Sequence, residues 1–260
     1  MRYESEKRIL LYDELKNVEW EEGKHVQLAT LLYRHAIVVV CSTRGRQKAQ
    51  FANGEFPYFA YTEIVNREGL WSGRGNNVIP VLPDGRLLMV VEQRPVLARY
   101  PGLPKTVKLE GGLTFDLGEF GSLEFPGGGI EPGENITLGI LRELGEETGV
   151  PDQKVLLYRR IHPIFQFGSD VASANYYSVV FLSALRFEKF VLNDGGLRIV
   201  AMSEAEIEDN LRNGVISSGQ AAIFGWNFYW EVKKAKGNKE FERRLVESGY
   251  LSLEEVELKK

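Results

Sequence analysis

From His35 to Arg94 the apolar positions fall in short runs rich in β-branched and aromatic residues, the pattern of strands. "HAIVVVCST" (35–43) and "YFAYTEIVNR" (58–67) are two such runs. "GNNVIPVLPDGRLLMVVEQR" (75–94) reads as a hairpin, two apolar strands about the turn Pro83-Asp84-Gly85. Residues 99–121 are rich in Gly and Pro and predict a long excursion with a short hairpin. The period then becomes helical: Ile136, Ile140, Leu141 and Leu144 form one stripe over about 135–148, with Asn135 as N-cap, Gly149 as stop and Pro151 beyond it. Strands return at 154–165 and 174–185. A helix at 203–214 opens with Ser203 and Glu206 at capping-box spacing and ends at Gly214. A third, aromatic-rich helix spans about Gly219 to Lys233, and the last 25 residues, mostly charged, read as a peripheral helix or tail. Many strands, one helix, more strands and then helices predict an α+β fold, with helices on the faces of a mixed or antiparallel sheet.

Composition narrows the classes of partner. The 260 residues are 43% hydrophobic and 26% charged, ordinary for a globular protein, and carry a net charge of −4. That balance disfavours a nucleic-acid surface or a polybasic membrane patch. The single cysteine, Cys41, excludes an intramolecular disulfide framework and a Cys-rich zinc site, and reads as a strand residue. No apolar run approaches the ~18 residues of a membrane span, and "MRYESEKRILLYDELK" lacks the apolar centre of a signal peptide. The expectation is a cytoplasmic protein without membrane attachment.

The charges of the first helix raise a question. Glu143, Glu146 and Glu147 fall within five positions, although like charges three or four apart repel. At ~100° per residue they project from one arc of about 100°, while Ile140 and Leu144 turn elsewhere. Three hard oxygen ligands at one point suit Mg²⁺ or Mn²⁺. Arg142, four residues before Glu146, is placed to pair with it, and Gly127-Gly128-Gly129 lets backbone approach. An acidic helix face is more often plain solvated surface, so the helix alone decides nothing.

The wider spacing does. Gly128, Glu134, then Arg142-Glu143-Leu144-x-Glu146-Glu147-x-Gly149-Val150 resembles the signature of the Nudix hydrolases at every defining position. The resemblance implies a Nudix-type α/β/α sandwich around a mixed β-sheet and hydrolysis of a nucleoside diphosphate linked to another moiety. It implies Glu143, Glu146 and Glu147 as metal ligands for Mg²⁺ (or Mn²⁺), Gly127 as a backbone ligand, Arg142 as their orienting partner and Glu134 as a supporting carboxylate. The implied organisation is a β-rich extension over 1–65, a Nudix domain over 66–232 and a charged helix or tail over 233–260.

"VNREG" (65–69), residues 78–94, "LEFPGGGIEPGE" (123–134) and residues 202–226 resemble the ADP-ribose and nucleotide-sugar pyrophosphatase branch. On that resemblance Arg94, Glu124, Gly128 and His162 contact substrate, Asp194 is the nearest candidate for a loop base, and the protein is a homodimer. Gln93 and Arg94 are adjacent where the branch has an aromatic residue between them, and the tryptophan-and-proline motif of NADH pyrophosphatases is absent. Two other readings stand beside this one: a Nudix enzyme for dinucleoside polyphosphates, nucleoside triphosphates or capped RNA, and a non-catalytic nucleotide-sugar sensor.

Overall fold

A computed structural model describes residues 26–33, 36–44, 58–66, 74–94, 102–118, 121–131, 133–167, 172–183, 191–192 and 198–258. They fall into two compact units: one runs to Arg74 and takes in Ile130–Gly133 and Ile164–Ala174, and the other holds Gly75–Gly129, Glu134–Pro163 and Asn175 onwards. The first unit contains β1 (Val26–Tyr33), β2 (Ala36–Arg44) and β3 (Tyr58–Asn66), an antiparallel sheet in that order. Cys41 lies in β2, opposite Gln27 and Tyr61.

Next come β4 (Arg74–Val81), β5 (Leu87–Gln93), β6 (Thr106–Lys108), β7 (Thr114–Asp116) and β8 (Gly121–Glu124), followed by α1 (Ile136–Thr148). After it come β9 (Gln153–Arg160), β10 (Ile164–Phe167), β11 (Ala172–Leu182), β12 (Val191–Leu192) and β13 (Arg198–Met202). The chain ends with α2 (Glu204–Arg212), α3 (Gly219–Lys236), α4 (Lys239–Glu247) and β14 (Leu251–Leu258). The large sheet runs β12-β13-β5-β4-β11-β9-β14, with β8 also paired to β5.

Alternation along these strands makes the sandwich. Val78, Leu88, Val90, Val155, Leu157, Val180, Leu182, Ile199 and Ala201 share one buried cluster with Ile140, Leu141 and Leu144 of α1. Neighbours of opposite parity face the other way: a Cβ on Gly225 of α3 would meet Ile79 at 3.5 Å and Tyr177 at 3.7 Å. Helices therefore cover both faces, as the α/β/α expectation required. Leu144 has no exposed surface, and cutting it to Ala costs about 3 kcal/mol.

The hairpin forms about the expected turn. The Leu82 N–H donates to Arg86 O at 2.8 Å, and the Arg86 guanidinium holds Asp84. Its strands then part: Val81 pairs with Leu87, but Val90–Gln93 pair instead with β8, Glu124 standing opposite Val90. The chain after β8 follows β4, where Asn76 N–H donates to Gly128 O at 2.9 Å and Val78 N–H to Pro126 O at 2.8 Å. The glycine turn is thereby fixed to the sheet.

Two stretches depart from the expected elements. The predicted strand over 154–165 breaks at Pro163 into β9 and β10, because proline lacks the N–H a ladder needs. The expected C-terminal helix or tail contains α4 and then an edge strand: β14 pairs with β9 from Leu251↔Arg160 to Leu258↔Gln153. Its charged and polar residues, Ser252, Glu254, Glu255 and Glu257, read as solvated chain, and an edge strand tolerates them too. The 99–121 excursion carries the expected hairpin, β6 with β7. It is docked by buried polar groups of α2: the Asn210 amide donates to Lys108 O at 2.7 Å and accepts from Lys108 N–H at 3.0 Å, and Glu206 accepts from Glu110 N–H at 2.6 Å. Among the described residues no helix is long and apolar enough to cross a membrane.

Candidate active site

The site lies where two apolar faces become charged. On β5 the positions facing α1 are Leu88 and Val90, both in the core, and the same parity continues as Glu92 and Arg94. On α1 the buried line through Ile140 and Leu144 continues one turn on as Glu147, with Glu143 beside it. Strand and helix thus bring carboxylates together at one end of their common core.

Local sequence sets the helix that carries them. The Asn135 side chain accepts from the N–H groups of Thr137 and Leu138, and Gly149, at φ 65°, closes the C-terminus by donating to Gly145 O. Arg142 then organises the polar side. Its Nε donates to Glu134 Oε1 at 2.9 Å and its Nη2 to Glu134 Oε2 at 3.2 Å and Gly129 O at 2.9 Å. Its Nη1 donates to Glu143 at 2.9 Å and to Glu146 at 3.2 Å. One guanidinium therefore joins three carboxylates to the glycine turn, and the Glu134 contact above all raises its pKa further. Glu146 is the outermost, its side chain 60% exposed.

The turn needs its glycines. A Cβ on Gly127 would lie 2.2 Å from Asn76 O, and one on Gly128 would lie 2.3 Å from Glu143 Oε2. Gly127 N–H donates to Glu147 Oε2 at 2.8 Å.

Electrostatically Glu147 is the most perturbed carboxyl among the described residues. Burial, with Glu92 and Glu143 nearby, pushes it up to about 8 against the partial relief of the Gly127 N–H. Burial also raises Glu143, which Arg142 partly offsets. Arg94 forms a two-bond pair with Glu124, Nε to Oε1 at 3.1 Å and Nη2 to Oε2 at 2.8 Å, and also contacts Glu92. Its side chain stays 43% exposed, so the guanidinium has a face for a ligand.

Of the residues singled out in the sequence, Arg142, Glu143, Glu146, Glu147, Gly127 and Gly128 come together, and Arg94 and Glu124 pair on the adjoining strands. His162 is exposed in the bend before Pro163. Asp194 lies outside the described residues. Glu92 was not foreseen, although a charge continuing the buried parity of a strand was there to be read.

The donor set is all hard oxygens, which suits a divalent cation. As they stand, no three His, Cys, Asp or Glu among the described residues are spaced to hold one. Arg142 and the Gly127 N–H engage the carboxylates instead. Glu92 and Glu143 add negative potential at Glu147, which a cation held there would relieve.

Comparison with known proteins bears on the fold and the family. The crystal structure of an ADP compounds hydrolase superposes with a TM-score of 0.51, covering 85% of this chain and 99% of that one at 16% identity, a likeness of fold. No curated protein matches the sequence. The NUDIX domain model matches residues 77–217, more than half of the chain, from the strands that carry Glu92 and Arg94 through the glycine turn and α1 to α2. The chain belongs to the Nudix hydrolase family.

Proposed function

We propose that this enzyme hydrolyses the phosphoanhydride of ADP-ribose or a related nucleotide sugar with Mg²⁺, or Mn²⁺ in its place, releasing a nucleoside monophosphate and a sugar phosphate. The observation that carries the reading is Glu147, a half-buried carboxyl set near Glu92 and Glu143 that accepts from the Gly127 N–H of the glycine turn. A bound divalent cation neutralises diphosphate charge and acidifies a water. Glu143, Glu146 and Glu147 hold it, with the Gly127 carbonyl as backbone donor. Arg142 keeps Glu143 and Glu146 in place. Arg94, backed by Glu124, binds substrate phosphate or ribose, with Gly128 and His162 lining the approach. Water attacks one phosphorus, its proton passes to one of these helix carboxylates or to Asp194, and the bridging P–O bond breaks towards the other phosphate. The fold shared with an ADP compounds hydrolase makes ADP compounds the first substrates to test. On the same reading the protein is a cytoplasmic homodimer, to which residues 1–65 contribute.

The test is a panel of ADP-ribose, nucleotide sugars, dinucleoside polyphosphates and triphosphates incubated with protein and Mg²⁺, with products separated by chromatography. AMP and ribose 5-phosphate from ADP-ribose, abolished by chelator, are expected. Cleavage of triphosphates or dinucleoside polyphosphates alone would overturn the substrate assignment, and tight binding without turnover would favour a sensor.

A further inference from the structure

Asn76 stands on β4 two positions before Val78, so its side chain points to the α1 face of the sheet, where Val78 and Leu82 enter the shared core. It is only 3% exposed. Its backbone N–H already donates to Gly128 O at 2.9 Å, and its Nδ2 reaches the same oxygen at 3.4 Å. That contact sets the amide, because the opposite orientation would put two oxygens against each other. Oδ1 is left enclosed, with no hydrogen-bond partner among the described residues. An unpaired buried acceptor opposes folding, and a valine here would continue the apolar face without that loss. Nor does the turn call for the side chain, since the backbone bond holds Gly128 without it.

The same two glycines meet the carboxylates of α1. Gly127, whose Cβ would lie 2.2 Å from Asn76 O, donates its N–H to Glu147 Oε2 at 2.8 Å. Gly128, whose carbonyl accepts from the Asn76 amide, lies against Glu143: a Cβ there would be 2.3 Å from Oε2. Asn76, Glu143 and Glu147 thus converge on one turn, from the strand and from the helix. A neutral amide oxygen is a hard donor of the kind a divalent cation takes, and it adds no charge beside the carboxylates. We propose that Asn76 is a further residue of the cation site, its Oδ1 kept free as a neutral oxygen donor to the ion that Glu143, Glu146 and Glu147 hold. This rests on the reading of those carboxylates as cation ligands. The free acceptor opposes folding in the protein without the ion and gains its partner when the ion binds.

The experiment titrates full-length wild type, Asn76→Val and Asn76→Asp with Mn²⁺ by electron paramagnetic resonance, and melts each protein in chelator. Valine removes the unpaired acceptor, so Asn76→Val melts at or above the wild type while its Mn²⁺ dissociation constant rises about tenfold. Aspartate keeps an oxygen where Oδ1 stood, but loses the Nδ2 donor and buries a charge. Asn76→Asp therefore melts below the wild type in chelator, yet binds Mn²⁺ at least as tightly. A side chain that only braced the turn through Nδ2 would make both variants lose Mn²⁺ affinity alike, and that result overturns the proposal. So does wild-type Mn²⁺ affinity in folded Asn76→Val; should that variant not fold, weakened binding by Asn76→Asp decides against it. Absence of Mn²⁺ binding in wild type would instead strike the reading on which the proposal rests.

Discussion

Gly128 and Glu143 occupy each other's space: a Cβ on the glycine would stand 2.3 Å from the Glu143 Oε2 and 2.4 Å from its Cδ. The carboxylate reaches the turn only because that residue has no side chain. Gly128→Ala must therefore displace either the turn or Glu143, whose other oxygen Arg142 holds. The expected cost is about 1–3 kcal/mol of stability. A loss of at least roughly tenfold in kcat follows from misplacing a cation ligand. Chemical denaturation and steady-state kinetics on the one variant check both.

Glu147 works against the fold that carries it. Its pKa, about 8 in the folded protein against a reference of 4.5, means that the folded state retains a proton the unfolded chain releases. Stability therefore falls as pH rises from about 4.5 and levels off above about 8. In chelator, Glu147→Gln removes that penalty: at pH 8 it should melt higher than wild type by the equivalent of roughly 2 kcal/mol, with the advantage vanishing towards pH 5. The variant should be nearly inactive. Equal melting temperatures of the two proteins across that range would show that the carboxyl is not strained.

The excursion over 102–118 hangs on Asn210, which is fully buried and whose amide bonds both Lys108 O and Glu206 O. Asn210→Ala leaves the Lys108 N–H and carbonyl unpaired and should cost about 2–3 kcal/mol. Limited proteolysis should then cut within 102–118 well before the wild type is cut. An unaltered digestion pattern would mean that the hairpin is held elsewhere.

Local signals account for what could be read in advance. Asn135, Gly149 and the Ser203–Glu206 capping box act through neighbours within four residues, so their spacing alone announces α1 and α2, and the observed caps follow it. Pro83-Asp84-Gly85 marks its turn for the same reason. Contacts between distant residues were not legible. Asn210 lies 102 residues from Lys108, and nothing near either marks the other as its partner. Strand β14 was hidden because its exposed edge carries charges that also suit a tail. The carboxylates of α1 were visible through their spacing, whereas Glu92 becomes significant only once β5 is laid against α1.

The most direct test compares wild type, Glu146→Gln and Glu147→Gln on ADP-ribose with Mg²⁺, following AMP and ribose 5-phosphate. The account predicts wild-type turnover abolished by chelator, and losses of at least roughly 100-fold in kcat for both variants with the fold retained. Full activity in both variants would contradict it.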